Sequence, residues 1–255
     1  MGSAAGYGSS FPLDRTLTTT LLGFDDLDYN VVYAQMGRGK VEKIVAFALA
    51  NLASTIGKLS TDICLFMSQN FGFVSLPDEL TTGSSIMPHK KNPDIFEITR
   101  GKCNRLQSKP IEISLITSNL TSGYFRDYQL IKEHYLPTFN EIIDIIKAVR
   151  LGVENLIINK NILSDSKYDY LFTVEKVNEL VLQGIPFREA YQIVGNEVEA
   201  GTFIPNKLIN HTHEGSIGNL CNKQIEKKFN TIMGEFDIEK VRMAKEKLLQ
   251  TSRFL

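Results

Sequence analysis

Apolar side chains recur at Val41, Val45, Ala48, Leu52, Ile56, Leu59, Ile63 and Met67, always three or four residues apart. Only a helix gathers that spacing onto one face. At 1.5 Å per residue, a helix over residues 37–69 runs roughly 50 Å. An element of that length cannot be covered by a short neighbour. It predicts a bundle of long helices or the core of an oligomer.

Two further long patterns agree. Pro93, with Asp94 and Glu97 in the turn that favours negative charge, opens a helix that Pro110 should break. Leu130, Leu136, Phe139, Ile142, Ile146 and Val149 mark a third helix over residues 126–158, with a bend expected at Pro137. A shorter helix is predicted from Phe11, with Ser10 as its cap. Ser164-Asp165-Ser166 interrupts a polar stretch and suggests a boundary. Shorter amphipathic patterns follow near 171–183, 186–200, 217–233 and 238–249. The fold class predicted is all-α. Residues 1–163 form part of a long-helix bundle, and residues 164–255 form a small C-terminal helical domain. No strand alternation is evident.

Charge and cysteine content restrict the functional classes. The net charge is −1 and no basic block occurs, which argues against nucleic acid as a partner. No apolar run is read as long enough for a membrane span. The start, Met1 to Gly6, lacks the basic and apolar regions of a secretion signal. Three widely spaced cysteines, Cys64, Cys103 and Cys221, fit reduced thiols in a cytoplasmic protein.

Chemistry concentrates in one short string, Thr81-Thr-Gly-Ser-Ser-Ile-Met-Pro-His-Lys-Lys-Asn-Pro93. Small hydroxyl-bearing residues lead into two lysines, an amide and a helix start, a setting suited to a negatively charged reaction centre. Residues 73–85, rich in glycine and threonine, predict a loop that closes over a ligand, with a merely disordered connector as the alternative. Read alone, Gly-Ser-Ser is linker composition and Asn-Pro a turn signal. The whole string resembles the signature of the fumarase/aspartase superfamily. Lys90-Lys91-Asn92-Pro93-Asp94 is similar to the form found in argininosuccinate lyases.

That resemblance implies a β-elimination releasing fumarate, without cofactor or metal. Ser84 would be the base that removes the Cβ proton. Lys90 and Asn92 would hold the substrate carboxylate and the anionic intermediate. Glu97 would pair with a catalytic histidine on another subunit. A hydroxyl is a poor base, so backbone N–H groups, a cation and loss of water must activate it. Lys91 is equally readable as a solvated charge. His89 sits at a variable position, and Arg15 reads equally as half of a structural ion pair with Asp14. His211-Thr-His213-Glu214 lacks the further ligands a metal site needs.

A second constellation, Tyr124-Phe-Arg-Asp-Tyr-Gln129-Leu-Ile-Lys132, reads alone as a polar helix start. It resembles the argininosuccinate lyase segment whose Tyr, Gln and Lys contact substrate, which implies Tyr124, Gln129 and Lys132 as substrate-binding residues. The resemblance covers the later part of such a subunit: the last bundle helices and the terminal domain. The N-terminal domain, the first bundle helices and the catalytic histidine have no counterpart. It further implies a homotetramer with active sites shared between subunits and argininosuccinate as substrate, in arginine biosynthesis. Rival readings are another fumarate-releasing lyase, chiefly adenylosuccinate lyase, and a non-catalytic structural or assembly protein.

Overall fold

The computed structural model describes residues 7–250, with side chains to 247. Residues 1–6, read above as lacking a secretion signal, lie outside the described residues. In chain order the elements are α1 (Arg15–Leu21), α2 (Val31–Met36), α3 (Lys40–Phe66), β1 (Val74–Ser75), β2 (Thr82–Gly83), β3 (Lys91–Asn92), α4 (Asp94–Leu106), α5 (Lys109–Ile116), α6 (Leu130–Glu154), β4 (Ile157–Ile158), α7 (Thr173–Leu182), α8 (Phe187–Glu199), α9 (Asn222–Gly234) and α10 (Ile238–Gln250). The all-α expectation holds. Its only strands among the described residues are two short antiparallel ribbons, β1–β4 and β2–β3.

Two units result. One contains the described residues up to Asn159 together with α10, and the other contains Lys160–Asp237. The division expected after residue 163 assigned the whole tail to the second domain. Instead α10 groups with α1, where Lys240 Nζ lies 2.7 Å from Asp25 Oδ1 and the Ala244 methyl faces Gly23. In the second unit α7 packs on α8 around Val177, Ala190 and Val194.

In the first unit α3 packs along α4, α5 and α6. The face it buries differs from the predicted stripe. Ala46, Ala53, Gly57, Ser60 and Ile63 are buried, while Val41, Leu52 and Leu59 are exposed. Small residues win this seam because they let helices approach closely; a Cβ on Gly57 would stand 3.2 Å from Cys103 Cβ. α6 repeats the pattern: Ile131, Thr138, Ile142, Ile145 and Gly152 are buried, whereas Leu130, Leu136, Phe139 and Ile146 are exposed. The bulky stripes therefore face outward from this chain. Their apolar residues also give the α2–α3 stretch, Val31–Phe66, the length and composition of a membrane span, contrary to the expectation above.

Three core clusters mark successive levels of the bundle. Ala46 packs with Ile113, Tyr128 and Ile131 near the start of α3. Ala53 packs with Cys103, Leu106, Ile142 and Ile145 at its middle. Ile63 packs with Leu76 and Phe96 at its end. The expected break falls at Gln107–Ser108, just ahead of Pro110 in the first turn of α5, and α6 runs through Pro137 undivided. α1 starts later than predicted, because the Asp14 carboxylate, not Ser10, accepts the Leu17 N–H, at 2.8 Å.

Candidate active site

The signature string folds as a hairpin. Thr82 pairs with Asn92 and Gly83 with Lys91 in the β2–β3 ribbon, which closes residues 84–90 into a loop. The Asn92 amide reinforces the closure, donating to the carbonyls of Thr82 at 3.3 Å and Gly83 at 3.4 Å. The Thr82 hydroxyl donates to the Asp94 carboxylate. Lys91 forms an exposed ion pair with Asp78 and also lines the cleft described below.

The expected closing segment, residues 73–85, is anchored over most of its length. Phe73 packs its ring 5.4 Å from both Phe66 and Phe71, and Leu76 is buried against Ile63 and Phe96. Val74 and Ser75 pair with Ile158 and Ile157. Ser75, Asp78, Glu79, Thr82 and Gly83 within it are nonetheless exposed, and Ile86, in the hairpin loop, is 83 % accessible.

Beneath that loop is a cleft of about 560 Å³. Lys90, Asn92 and Glu97 all line it, so three of the four predicted catalytic residues meet there. Ser84 lies on the loop but outside the lining. Its Oγ turns back to accept the backbone N–H of Met87 at 3.2 Å and of Ile86 at 3.3 Å. Two N–H dipoles aimed at one hydroxyl oxygen stabilise negative charge on it, as a base requires. Glu97 sits in the first turn of α4, as predicted.

The end of α3 completes the cleft with Cys64, Met67, Ser68 and Gln69, and His89 joins from the loop. Sequence reading had no signal for these α3 residues, which look like an ordinary helix terminus. The Cys64 thiol is pushed up by burial, with Arg100 acting in the opposite direction and Glu97 adding to the rise.

Tyr124, Gln129 and Lys132 are not brought to this cleft. They flank the start of α6, beside the core level of Ala46 and Tyr128, whereas the cleft abuts the level of Ile63 and Phe96. Ala46 and Ile63, which mark the two levels on α3, stand 17 residues apart, about 25 Å along the helix. Tyr124 is half-exposed, its ring 6.1 Å from that of buried Tyr128. One copy of the chain thus carries two polar constellations at opposite ends of its bundle.

The second unit offers no comparable chemistry. Its cavity of about 540 Å³ between α7 and α8 is lined mainly by apolar and aromatic side chains such as Val174, Phe187 and Tyr191. His211 Nε2 lies 3.0 Å from Glu175 Oε1. No metal-binding cluster of three acidic, histidine or cysteine side chains occurs among the described residues.

Comparisons with known proteins bear on both ends. A lyase family model matches residues 2–108. The argininosuccinate lyase of Parabacteroides distasonis is 60 % identical over 249 residues, 98 % of this chain and 56 % of that protein. That of Phocaeicola vulgatus is 58 % identical over the same lengths, and that of Thermotoga neapolitana 34 % identical over 197 residues, 77 % of this chain and 50 % of its own. The chain therefore spans about half the length of the curated relatives it matches. In fold it is similar to an EDDS lyase variant with bound fumarate (TM-score 0.73, 22 % identity, 99 % of this chain and 58 % of that one). A class II fumarase from Schistosoma mansoni gives a TM-score of 0.59 at 19 % identity, over 90 % of this chain and 46 % of the fumarase.

Proposed function

We propose, from the premise that this chain belongs to the argininosuccinate lyase family within the fumarase/aspartase superfamily, that it supplies the proton-abstracting loop of an enzyme cleaving argininosuccinate to arginine and fumarate. The observation that carries this reading is the convergence of Lys90, Asn92 and Glu97 on one cleft beneath the loop that holds Ser84.

In the proposed step Ser84 Oγ takes the proton from Cβ. The C–H electron pair becomes the new C=C bond, and the Cα–N bond breaks to release the guanidino nitrogen of arginine. Charge building in the adjacent carboxylate falls to the ammonium of Lys90 and the amide of Asn92. The N–H groups of Ile86 and Met87 support the oxyanion form of Ser84. The loop turns inward to bring Oγ to the cleft, excluding water as it does so. Glu97 orients a histidine from another subunit that belongs to the part of the relatives this chain does not span. No step requires a metal or cofactor.

A homotetramer is part of the proposal. Long apolar stripes exposed on α3 and α6 fit helices that complete their packing against other copies. The separation of the two constellations, about 25 Å along α3, fits active sites assembled from several subunits. Cytoplasmic location, and a bundle buried in its partners rather than in a membrane, follow from the same reading.

Mixing the chain with the N-terminal portion of the Parabacteroides distasonis relative tests this. Fumarate absorbance should rise with argininosuccinate, and only in the mixture. Tetramers that form and release no fumarate would overturn the enzymatic reading in favour of a structural one.

A further inference from the structure

At the α6 end of the bundle a second polar cavity, about 270 Å³, opens beside the start of α3. Arg38, Lys40 and Lys43 line it together with Thr121, Ser122 and Tyr128. With Thr117, whose hydroxyl already donates to the Ile113 carbonyl, the lining carries three cations and four hydroxyls, and every charged group in it is a donor. The Glu42 carboxylate beside the cavity is already committed. Glu42 Oε2 accepts the Gly39 N–H at 2.8 Å, and its Oε1 lies 3.0 Å from Arg38 Nε, within ion-pair range but without hydrogen-bond geometry. Lys40 Nζ rests 5.4 Å from the centre of the Tyr33 ring. No acidic side chain pairs with Lys40 or Lys43 among the described residues. Two unneutralised ammonium groups beside a polar cavity favour an anionic ligand.

The cavity shares the buried Tyr128 with the segment that carries Tyr124, Gln129 and Lys132. Tyr128 lines it, sits one residue before Gln129, and holds its ring 6.1 Å from Tyr124. We infer that Arg38, Lys40 and Lys43 form a carboxylate subsite that receives the α-carboxylate of the arginine half of the substrate. This rests on the function proposed above. There, the half of the substrate that becomes fumarate is held where its proton leaves, at Lys90 and Asn92. The half remote from the breaking bond is then left to the opposite constellation, and its carboxylate is the anion a cationic cavity selects. Neither lysine contacts the reacting atoms, so both are specificity residues.

The test uses the chain as it stands and isothermal titration calorimetry with arginine and with agmatine, which is arginine without its carboxylate. The wild-type chain should bind arginine in preference to agmatine. The Lys40→Met, Lys43→Met double variant should lose at least tenfold in arginine affinity and lose the preference with it. The Lys40→Arg, Lys43→Arg variant, which keeps both charges, should retain them, and circular dichroism should show all three chains equally helical. Unchanged arginine binding in the methionine variant would overturn the subsite while leaving the lyase reading intact. A wild-type chain that binds neither ligand, or both alike, would also overturn it. The fumarate-release assay above then judges the lyase reading separately.

Discussion

Gly152 is the position where one added methyl group should do most damage. It lies in the last turns of α6, facing Phe96 in the first turn of α4. A Cβ there would stand 2.4 Å from Phe96 Cζ, 2.9 Å from Cε2 and 3.2 Å from Cε1. Comfortable carbon–carbon contact is about 3.5–4.0 Å, so the overlap with Cζ exceeds an ångström. The ring has no free volume to enter, being fully buried against Ile63 and Leu76. Overpacking of this kind costs about 1–3 kcal/mol. Alanine gains about 1 kcal/mol over glycine in helix propensity, so the overlap must be measured against a control that shares that gain. Gly101 supplies it: mid-helix in α4, with nothing within 4 Å of an added Cβ. Gly101→Ala should therefore stabilise the chain and Gly152→Ala should fall below it by about 1–3 kcal/mol. In melting midpoint that is roughly 2–4 °C per kcal/mol, followed by far-ultraviolet circular dichroism. Phe96→Leu in the Gly152→Ala background should recover part of the loss. Equal midpoints for the two alanine variants would refute the close packing of α6 on α4.

Other consequences are as accessible. In the assembled enzyme, Ser84→Ala should lower kcat by a factor of about a hundred or more with KM little changed, as for loss of a proton-transfer group; near-normal turnover would remove Ser84 from the mechanism. Asp14→Ala removes the acceptor that caps α1 and should cost about 1 kcal/mol, read by urea titration. Burial raises the Cys64 thiol above its ordinary value of 9.0. Its thiolate fraction is therefore smaller at neutral pH, and its alkylation rate should still be climbing as pH passes 9, as mass spectrometry of iodoacetamide-treated protein would report. A plateau below pH 9 would contradict that placement.

Much of the helical framework was legible because proline, capping carboxylates and apolar spacing act locally. Pro93 precedes α4, and α4 ends just ahead of Pro110, as elementary backbone sterics require. The buried face of α3 was not legible. Val41, Leu52 and Leu59 outrank Ala53 and Gly57 on any hydropathy reading, yet the small residues take the seam because interhelical distance depends on what is absent. The same applies to α6, where Gly152 is buried and Leu136 exposed. At the site, Lys90, Asn92 and Glu97 were found from a contiguous string. Cys64 and Gln69 reach the same cleft from a distant helix end and carry no local mark. The distance between the two constellations was equally hidden, because sequence proximity of residues 84 and 124 says nothing about which end of a bundle each occupies. The ion pairs of Lys91 with Asp78 and of Lys240 with Asp25 join residues that no pattern announces as neighbours.

The rungs joining Thr82 to Asn92 and Gly83 to Lys91 set a leash on everything between them. Seven residues, 84 to 90, leave and return at the same place. At roughly 3.3 Å per extended residue, the tip of such a loop can travel only about 12 Å from its anchorage. The cleft walls built by α3 and α4 lie outside this leash, so any movement of the loop is confined to that radius while the walls stay where the bundle holds them.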